Sequence, residues 1–380
     1  MVVALVLALV QGAVAPGRPQ FTSGTFDPLV LEGVRSLVYP GAALVIGTRD
    51  SILFAKAYGR FTWSARSAAV SVDSTLWDLA SLTKVVATTP ALMLLVERGK
   101  VDLDAPVTRY LPEFNATGTA VITVRHLLTH TSGLRGTLPL RDAPDSAAAL
   151  RMVLTSTPIA APGARMVYSD LNAILLGEIV RRVSGAPLDE FVAREVYAPL
   201  GISEQMMFRP PRRLERRTAP TGIWRGHAIA GVVNDPNAAK LGGVAGHAGA
   251  FATAMGVARF AQFMLRDGAP VLKPETVRGF TAIAVPARRG TSARTLGWEA
   301  LPTGEDVSSA GRLLGPHSYG HTGWTGTSLW IDPDRGLFVL VLTNRAYAQA
   351  GGARGTFTVL KEVRGRVANA AARAADARHR

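Results

Sequence analysis

The amino-acid sequence predicts a mixed α/β (α+β) protein: an antiparallel sheet flanked by helices and assembled from both ends of the chain, with a mainly helical domain inserted between. Three observations lead there. Residues 42–46 and 51–58 read as two strands about the turn Gly47-Thr48-Arg49-Asp50. Residues 295–298, 318–321, 325–331 and 337–343 read as consecutive strands near the other end. Between these groups the apolar residues recur at helical spacing. A two-stranded ribbon is marginal on its own in water, so the early hairpin has to pair with the late strands.

In chain order, residues 29–38 carry a helical apolar pattern ahead of the hairpin. Helices are then expected at 81–98, closed by Gly99, at 126–129, 145–155, 170–184, closed by Gly185, 188–196 and 255–266, closed by Gly268. A short helix follows Pro274, and a last one starts at about residue 355. The implied domains are 21–80 with 270–380 for the α/β part and 81–269 for the helical part. A ligand cleft belongs at their seam, where clefts are common.

With 380 residues, 48% hydrophobic and 18% charged, the chain suits a large packed core and not a disordered polymer. Cysteine is absent, which excludes disulfides, thiolate nucleophiles and cysteine-held zinc or iron–sulfur clusters. Lys+Arg 42 against Asp+Glu 28 gives a net charge of +14, a field that attracts anionic surfaces. The basic runs at 209–217 and 364–380 lack aromatic interleaving and any reading motif. They are expected to be solvated faces, and no nucleic-acid partner is expected.

Residues 1–20 hold an apolar run at 2–10 and then Ala13-Val14-Ala15, the pattern of a signal peptide with an A-x-A cleavage site. That run is shorter than the roughly 20 residues a membrane span needs, and no later stretch is expected to cross a membrane. Export to the periplasm or the exterior is the expected location. No Lys or Arg precedes the run, and Pro16 follows the cut, which leaves a cytoplasmic location open.

Three motifs carry chemistry. The first is Ser81-Leu82-Thr83-Lys84: among six lysines, only Lys84 has a serine three positions earlier. Residues i and i+3 share a helix face, the spacing a serine nucleophile and its base need. Asp78 is placed to cap that helix, and the helix dipole together with burial is expected to leave Lys84 a neutral amine near working pH. Pro90 is expected to kink the helix a turn later. Read alone, the motif also fits a capping serine with a surface lysine.

The second is Tyr168-Ser169-Asp170, between Pro162-Gly163 and a helix. Here Tyr168 can serve as a general acid or base, and Asp170 can bond Lys84 or a substrate amide; the plainer reading is a packed ring and an N-cap. The third runs from Tyr319 through His321, Thr322, Gly323 and Trp324 to Thr327. Its glycines allow the close backbone approach that an oxyanion hole requires, and equally suit a simple hairpin.

In that order and company, the motifs resemble the serine β-lactamase and penicillin-binding-protein superfamily, whose S-x-x-K, Y-x-N or S-D-N, and K-T-G elements meet in one cleft. Within it the chain is similar to the branch holding class C β-lactamases, D,D-carboxypeptidases, D-aminopeptidases and related carboxylesterases. The strings at 124–134, 175–180 and Gly242-Gly243-Val244-Ala245-Gly246-His247-Ala248-Gly249 also read like that branch. The resemblance implies a β-lactamase/transpeptidase-like fold. It makes Ser81 the acylated nucleophile, gives Lys84 and Tyr168 the base and proton-shuttle roles, and forms the oxyanion hole from the amides of Ser81 and Trp324.

Substrate contacts fall to Asp170, His321, Thr322 and Gly323. Asp170 stands where the family has asparagine and His321 where it has lysine. Both changes weaken recognition of a carboxylate and point to esters or D-residue amides, with β-lactamase or D,D-carboxypeptidase action as the alternative. A penicillin-binding sensor or scaffold that never turns over is a further one. The partner is a small-molecule or peptide acyl compound, cell-wall material included.

No cofactor or metal is expected. His126 and His130 have a zinc pair's i, i+4 spacing but no H-E-x-x-H around them, and His317 and His321 lie on a strand where that spacing keeps them apart. His247 reads as packing. G-x-S-x-G does not occur, which argues against an α/β-hydrolase fold.

Overall fold

Helix α1 (Ser23–Arg35) leads into β1 (Gly41–Thr48), buried from Gly41 to Gly47, and β2 (Ile52–Gly59) returns antiparallel to it. The computed structural model describes residues 20–288, 292–301, 308–347 and 356–378. The signal-peptide pattern and the export it implies therefore fall, but for Gln20, outside the described residues.

A strand buried along its length needs cover on both faces, and β1 has it. Ala42, Leu44 and Ile46 point into one core with Phe26 and Val30 of α1, whereas Ala43 and Val45 point into the other. That two-residue alternation is the pleat of a strand.

The helical part follows. The short β3 (Trp77–Asp78) precedes a run that changes pitch twice: a 3₁₀ turn at Ala80–Leu82, a π turn at Lys84–Thr88 and then α2 (Thr89–Glu97). One continuous helix over 81–98 was expected. The break comes at the N-terminal side of Pro90, which sits in the first turn of α2, where its missing N–H costs least. The segment Ala80–Glu97 is apolar and long enough for a membrane span, contrary to the expectation that none existed, but 83% of it is buried inside the fold.

Around it pack α3 (Val124–Leu128), α4 (Ser146–Leu154), α5 (Asp170–Ser184), α6 (Leu188–Val192), α7 (Pro236–Lys240), α8 (Ala254–Leu265) and α9 (Pro274–Thr281). Strand β4 (Met206–Phe208) joins β3 across β7 (Ala250–Ala252), and β5 (Gly222–Trp224) with β6 (His227–Ile229) forms a separate ribbon.

The chain then returns to the sheet through β8 (Glu299–Ala300), β9 (Tyr319–Thr322), β10 (Ser328–Asp332) and β11 (Leu337–Thr343). The order is β2-β1-β11-β10-β9-β8, antiparallel throughout, so the two ends of the chain meet where Val45 faces Leu340. The expected strand at 295–298 starts later, at Glu299. Gly297 adopts φ +90° against Thr89, which breaks the extended run.

Helix α10 (Thr356–Arg378) packs Leu360, Val363, Val367 and Ala371 onto the face that α1 covers. Its basic residues are not all solvated as expected. Arg364 is buried, with Nη2 donating to the Thr327 carbonyl at 2.9 Å. The run at 212–217 does match expectation, a 3₁₀ turn with no buried residue.

Candidate active site

The site is built where the 3₁₀ turn at Ala80–Leu82, the N-terminus of α5 and the open edge of β9 converge. Ala80 has φ +46°, an uncommon conformation for a residue with a Cβ. Asp78 holds it there, accepting from the Ala80 N–H at 2.8 Å and from the Asn234 N–H at 2.6 Å. Asp78 was expected to cap the helix; its carboxylate instead fixes the strained residue just before Ser81. Burial lifts its pKa to about 6 against those two hydrogen bonds.

Lys84 is buried, and its ammonium donates to Ser81 Oγ at 3.0 Å, to Asp170 Oδ1 at 2.8 Å and to the His247 carbonyl at 3.1 Å. Burial pulls its pKa down, but the Tyr168 phenol and the Asp170 carboxylate more than offset that and hold it above the ordinary lysine value. The expectation of a neutral Lys84 is thereby reversed: the helix dipole is a smaller influence than an ion pair at 2.8 Å. Asp170 belongs to the first turn of α5 without capping it; Ser169 is the N-cap residue, and its hydroxyl donates to the Arg135 carbonyl.

Tyr168 lies beside this cluster. Its ring centre is 5.0 Å from Lys84 Nζ, 4.7 Å from the His130 ring and 5.8 Å from the His321 ring. His130 fixes the segment: Nδ1 accepts from the Ser169 N–H and from the Asn172 amide, each at 3.2 Å, and Asn172 accepts in turn from Ser132. Burial, then the Arg294 and Lys84 cations, keep His130 far below the ordinary histidine range. His126 is engaged elsewhere, its Nδ1 against the Thr123 N–H, so the two histidines share no ligand position.

Strand β8 pairs β9 only at Tyr319 and Gly320, which leaves the β9 edge open at His321 and Thr322. A cavity of about 770 Å³ opens there, lined by Ser81, Tyr168, Arg294, His321, Thr322, Gly323 and Trp324 among others. A Cβ on Gly323 would lie 2.5 Å from the Leu79 carbonyl, so only glycine lets β9 approach the Ser81 segment this closely. The Trp324 carbonyl accepts from the buried Arg345, whose guanidinium stacks 3.6 Å from the Phe357 ring centre.

His321 donates from Nδ1 to the Thr322 carbonyl at 2.7 Å, leaving Nε2 a buried acceptor with no partner. Burial, then the Lys84 and Arg294 charges, push its pKa to about 3. It is neutral and cannot replace the family's cationic lysine.

Arg294, absent from the sequence reading, is a cation that lines this cavity together with Lys361 and Arg364. Its backbone is pinned to Val285 by hydrogen bonds in both directions, it lies 5.7 Å from the Tyr168 ring centre, and its buried Nε and Nη1 have no partner. The one signal was an arginine directly before a run read as strand, 295–298. Asp170, Asp235 and His247 bring ligand atoms within 4.8 Å of one another, but the cation they face is the Lys84 ammonium.

A family model described as Beta-lactamase matches residues 26–362. A "putative D-alanyl-D-alanine carboxypeptidase" of Escherichia coli (strain K12) is 30% identical over 354 residues, covering 82% of this chain and 79% of that protein. Among solved structures, EstCE1, described as a hydrolase with promiscuous acyltransferase activity, matches with a TM-score of 0.73 at 21% identity, over 90% of this chain and 98% of that one. The octameric penicillin-binding protein homologue from Pyrococcus abyssi matches at 0.69 and 22% identity, over 84% and 73%. Those structural matches share the mixed fold; the sequence match runs through both ends of the sheet and the whole helical insert, and on that ground the chain belongs to the beta-lactamase family of hydrolases.

Proposed function

We propose that the protein is a serine hydrolase acting through an acyl-enzyme on Ser81. One observation carries this reading: Ser81 Oγ, lining the cavity, receives a hydrogen bond from the buried Lys84 ammonium at 3.0 Å. All the N–H bonds of that ammonium point outward, to Ser81, Asp170 and His247. It therefore accepts no proton in the resting site, and the hydroxyl hydrogen of Ser81 points elsewhere.

The acceptor beside it is Tyr168, whose side-chain oxygen takes the proton and passes it on. Ser81 Oγ bonds to the acyl carbon, the proton on Tyr168 passes to the leaving group as its bond breaks, and the amides of Ser81 and Trp324 hold the oxyanion. Water then gives a proton to Tyr168 and attacks the acyl carbon, and Tyr168 returns that proton to Ser81 Oγ as the Oγ–acyl bond breaks.

The substrate we infer is a peptide-like acyl compound carrying a carboxylate, of the D,D-carboxypeptidase kind. Its support is the pair that faces the cavity unpartnered: Arg294 for the anion and His321 Nε2 for an N–H donor. The loss of the family's lysine does not by itself argue against a carboxylate here, because Arg294 supplies the charge. A neutral ester is the second reading, favoured by the neutrality of His321.

Ser81→Ala should abolish both turnover and labelling by a penicillin or phosphonate probe; full activity would overturn the assignment. Nitrocefin, a D-Ala-D-Ala peptide and a short p-nitrophenyl ester, assayed side by side, separate the substrate classes, and a stable Ser81 adduct without product release would point to a sensor. Arg294→Ala should cut the preference for peptide over ester about 10- to 100-fold, the effect of a lost hydrogen bond to a charged group. An unchanged ratio sinks the carboxylate reading.

A further inference from the structure

The loop before β7 carries a buried histidine, paired with a half-buried aspartate at the start of α7, that the acyl-enzyme chemistry does not use. His247 is 1% exposed, and its Nε2 lies 2.9 Å from Asp235 Oδ1. Asp235 also caps α7, accepting from the Ala238 N–H at 2.7 Å. Its carboxyl is held below its ordinary pKa: burial raises it, and the His247 bond, the cap and the Lys84 charge more than offset that. An ionised Asp235 accepts, so Nε2 of His247 donates and Nδ1 has no partner. The same residue's backbone carbonyl receives the Lys84 ammonium.

We propose that His247 and Asp235 are positioning residues for Lys84, a role that rests on the acyl-enzyme reading. An ammonium has three donors, and here each has one acceptor: Ser81 Oγ, Asp170 Oδ1 and the His247 carbonyl. Two of those acceptors sit on side chains, but the third belongs to a loop peptide whose orientation must be held. On one side Gly246 is wedged against α5, where a Cβ would lie 1.8 Å from the Ala173 carbonyl, and its own carbonyl accepts from Thr88 at 2.7 Å. On the other side the imidazole is tied to the cap of α7. Cutting that tie lets the His247 peptide rotate, leaves a buried N–H of Lys84 without an acceptor, and frees the ammonium to turn away from Ser81.

The test compares truncation with a variant that restores the bond. With a short p-nitrophenyl ester, His247→Ala should lower kcat about 10- to 100-fold with KM unchanged, the penalty expected of a misplaced catalytic group. His247→Gln, whose amide keeps a donor for Asp235, should return to within about threefold of the wild type. Asp235→Ala and Asp235→Asn form the second pair, because the asparagine oxygen still accepts from His247 and still caps α7. Melting midpoints of all four variants keep unfolding separate from misplacement.

Full kcat in His247→Ala, equal losses in each alanine variant and its amide counterpart, or a loss confined to KM would overturn the proposal. Phosphonate labelling of the wild type is run alongside. No adduct on Ser81 overturns the acyl-enzyme reading itself, whereas an adduct with any of those kinetic results overturns only the positioning role.

Discussion

At Lys84 two influences oppose each other, and the winner sets the chemistry. Burial disfavours the charged amine, while Tyr168 and Asp170 favour it more. A lysine whose folded pKa is raised adds stability that is fully present below the unfolded value of 10.5 and is lost as the pH climbs through the folded value. Asp170→Asn removes the charge and keeps the shape. It should cost about 2 kcal/mol at pH 7, the worth of a hydrogen bond to a charged group, and the gap to the wild type should narrow above pH 10.5 in urea unfolding. A gap constant with pH would show that the ion pair is not its source. Lys84→Ala should reduce turnover by about 100-fold, the penalty for losing the donor that holds Ser81 Oγ in place, measured with whichever acyl substrate is turned over.

At the scale of elements, the sequence's local periods reported the hairpin, the late strands and most helices within a few residues, because each buries one regular face. What they missed was set by contacts distant in sequence. The pitch changes from 80 to 88 follow from Ala80 being held at positive φ by Asp78, itself bonded to Asn234. Ser81 and Lys84 were legible because their spacing is short-range, and Tyr168 because Tyr168-Ser169-Asp170 resembles the family's second motif. Arg294 was not, because its meaning depends on an empty side of β9 and a ring on another element.

The turn after β9 offers a test at this scale. Gly323→Ala would set a methyl 2.5 Å from the Leu79 carbonyl and 2.1 Å from the Thr327 hydroxyl, so β9 has to withdraw from Ser81. Activity should fall by about 100-fold, as for a displacement of about 1 Å. Equal activity in a folded variant would show that close approach is not needed there.

Across the whole molecule, the site's buried imidazoles make the fold sensitive to acid. His321 has its pKa pushed to about 3 and His130 lies well below 6.5, both chiefly by burial, so each is neutral folded and takes up a proton on unfolding in mild acid. The unfolded state then binds more protons, and stability falls as the pH drops below 6.5, by about 1.4 kcal/mol per pH unit for each such proton. Asp78 works against them: raised to about 6 from 3.8, it binds a proton first in the folded state and returns stability below about pH 6. These two imidazoles, with His126 also held below 6.5 by burial, outweigh Asp78 and leave a net loss in that window, joined near pH 4 and below by carboxylates with depressed values such as Asp235 and Asp334.

Thermal unfolding followed from pH 7.5 to 4.5 should therefore show a falling midpoint that begins before any ordinary carboxylate titrates. His321→Gln, which removes one of the two imidazoles and leaves an amide in its place, should flatten the slope between pH 6.5 and 5 by about 1.4 kcal/mol per unit. A slope the same in both proteins would mean that His321 is already charged in the folded state, and a charged His321 would restore the cation that the family's lysine supplies.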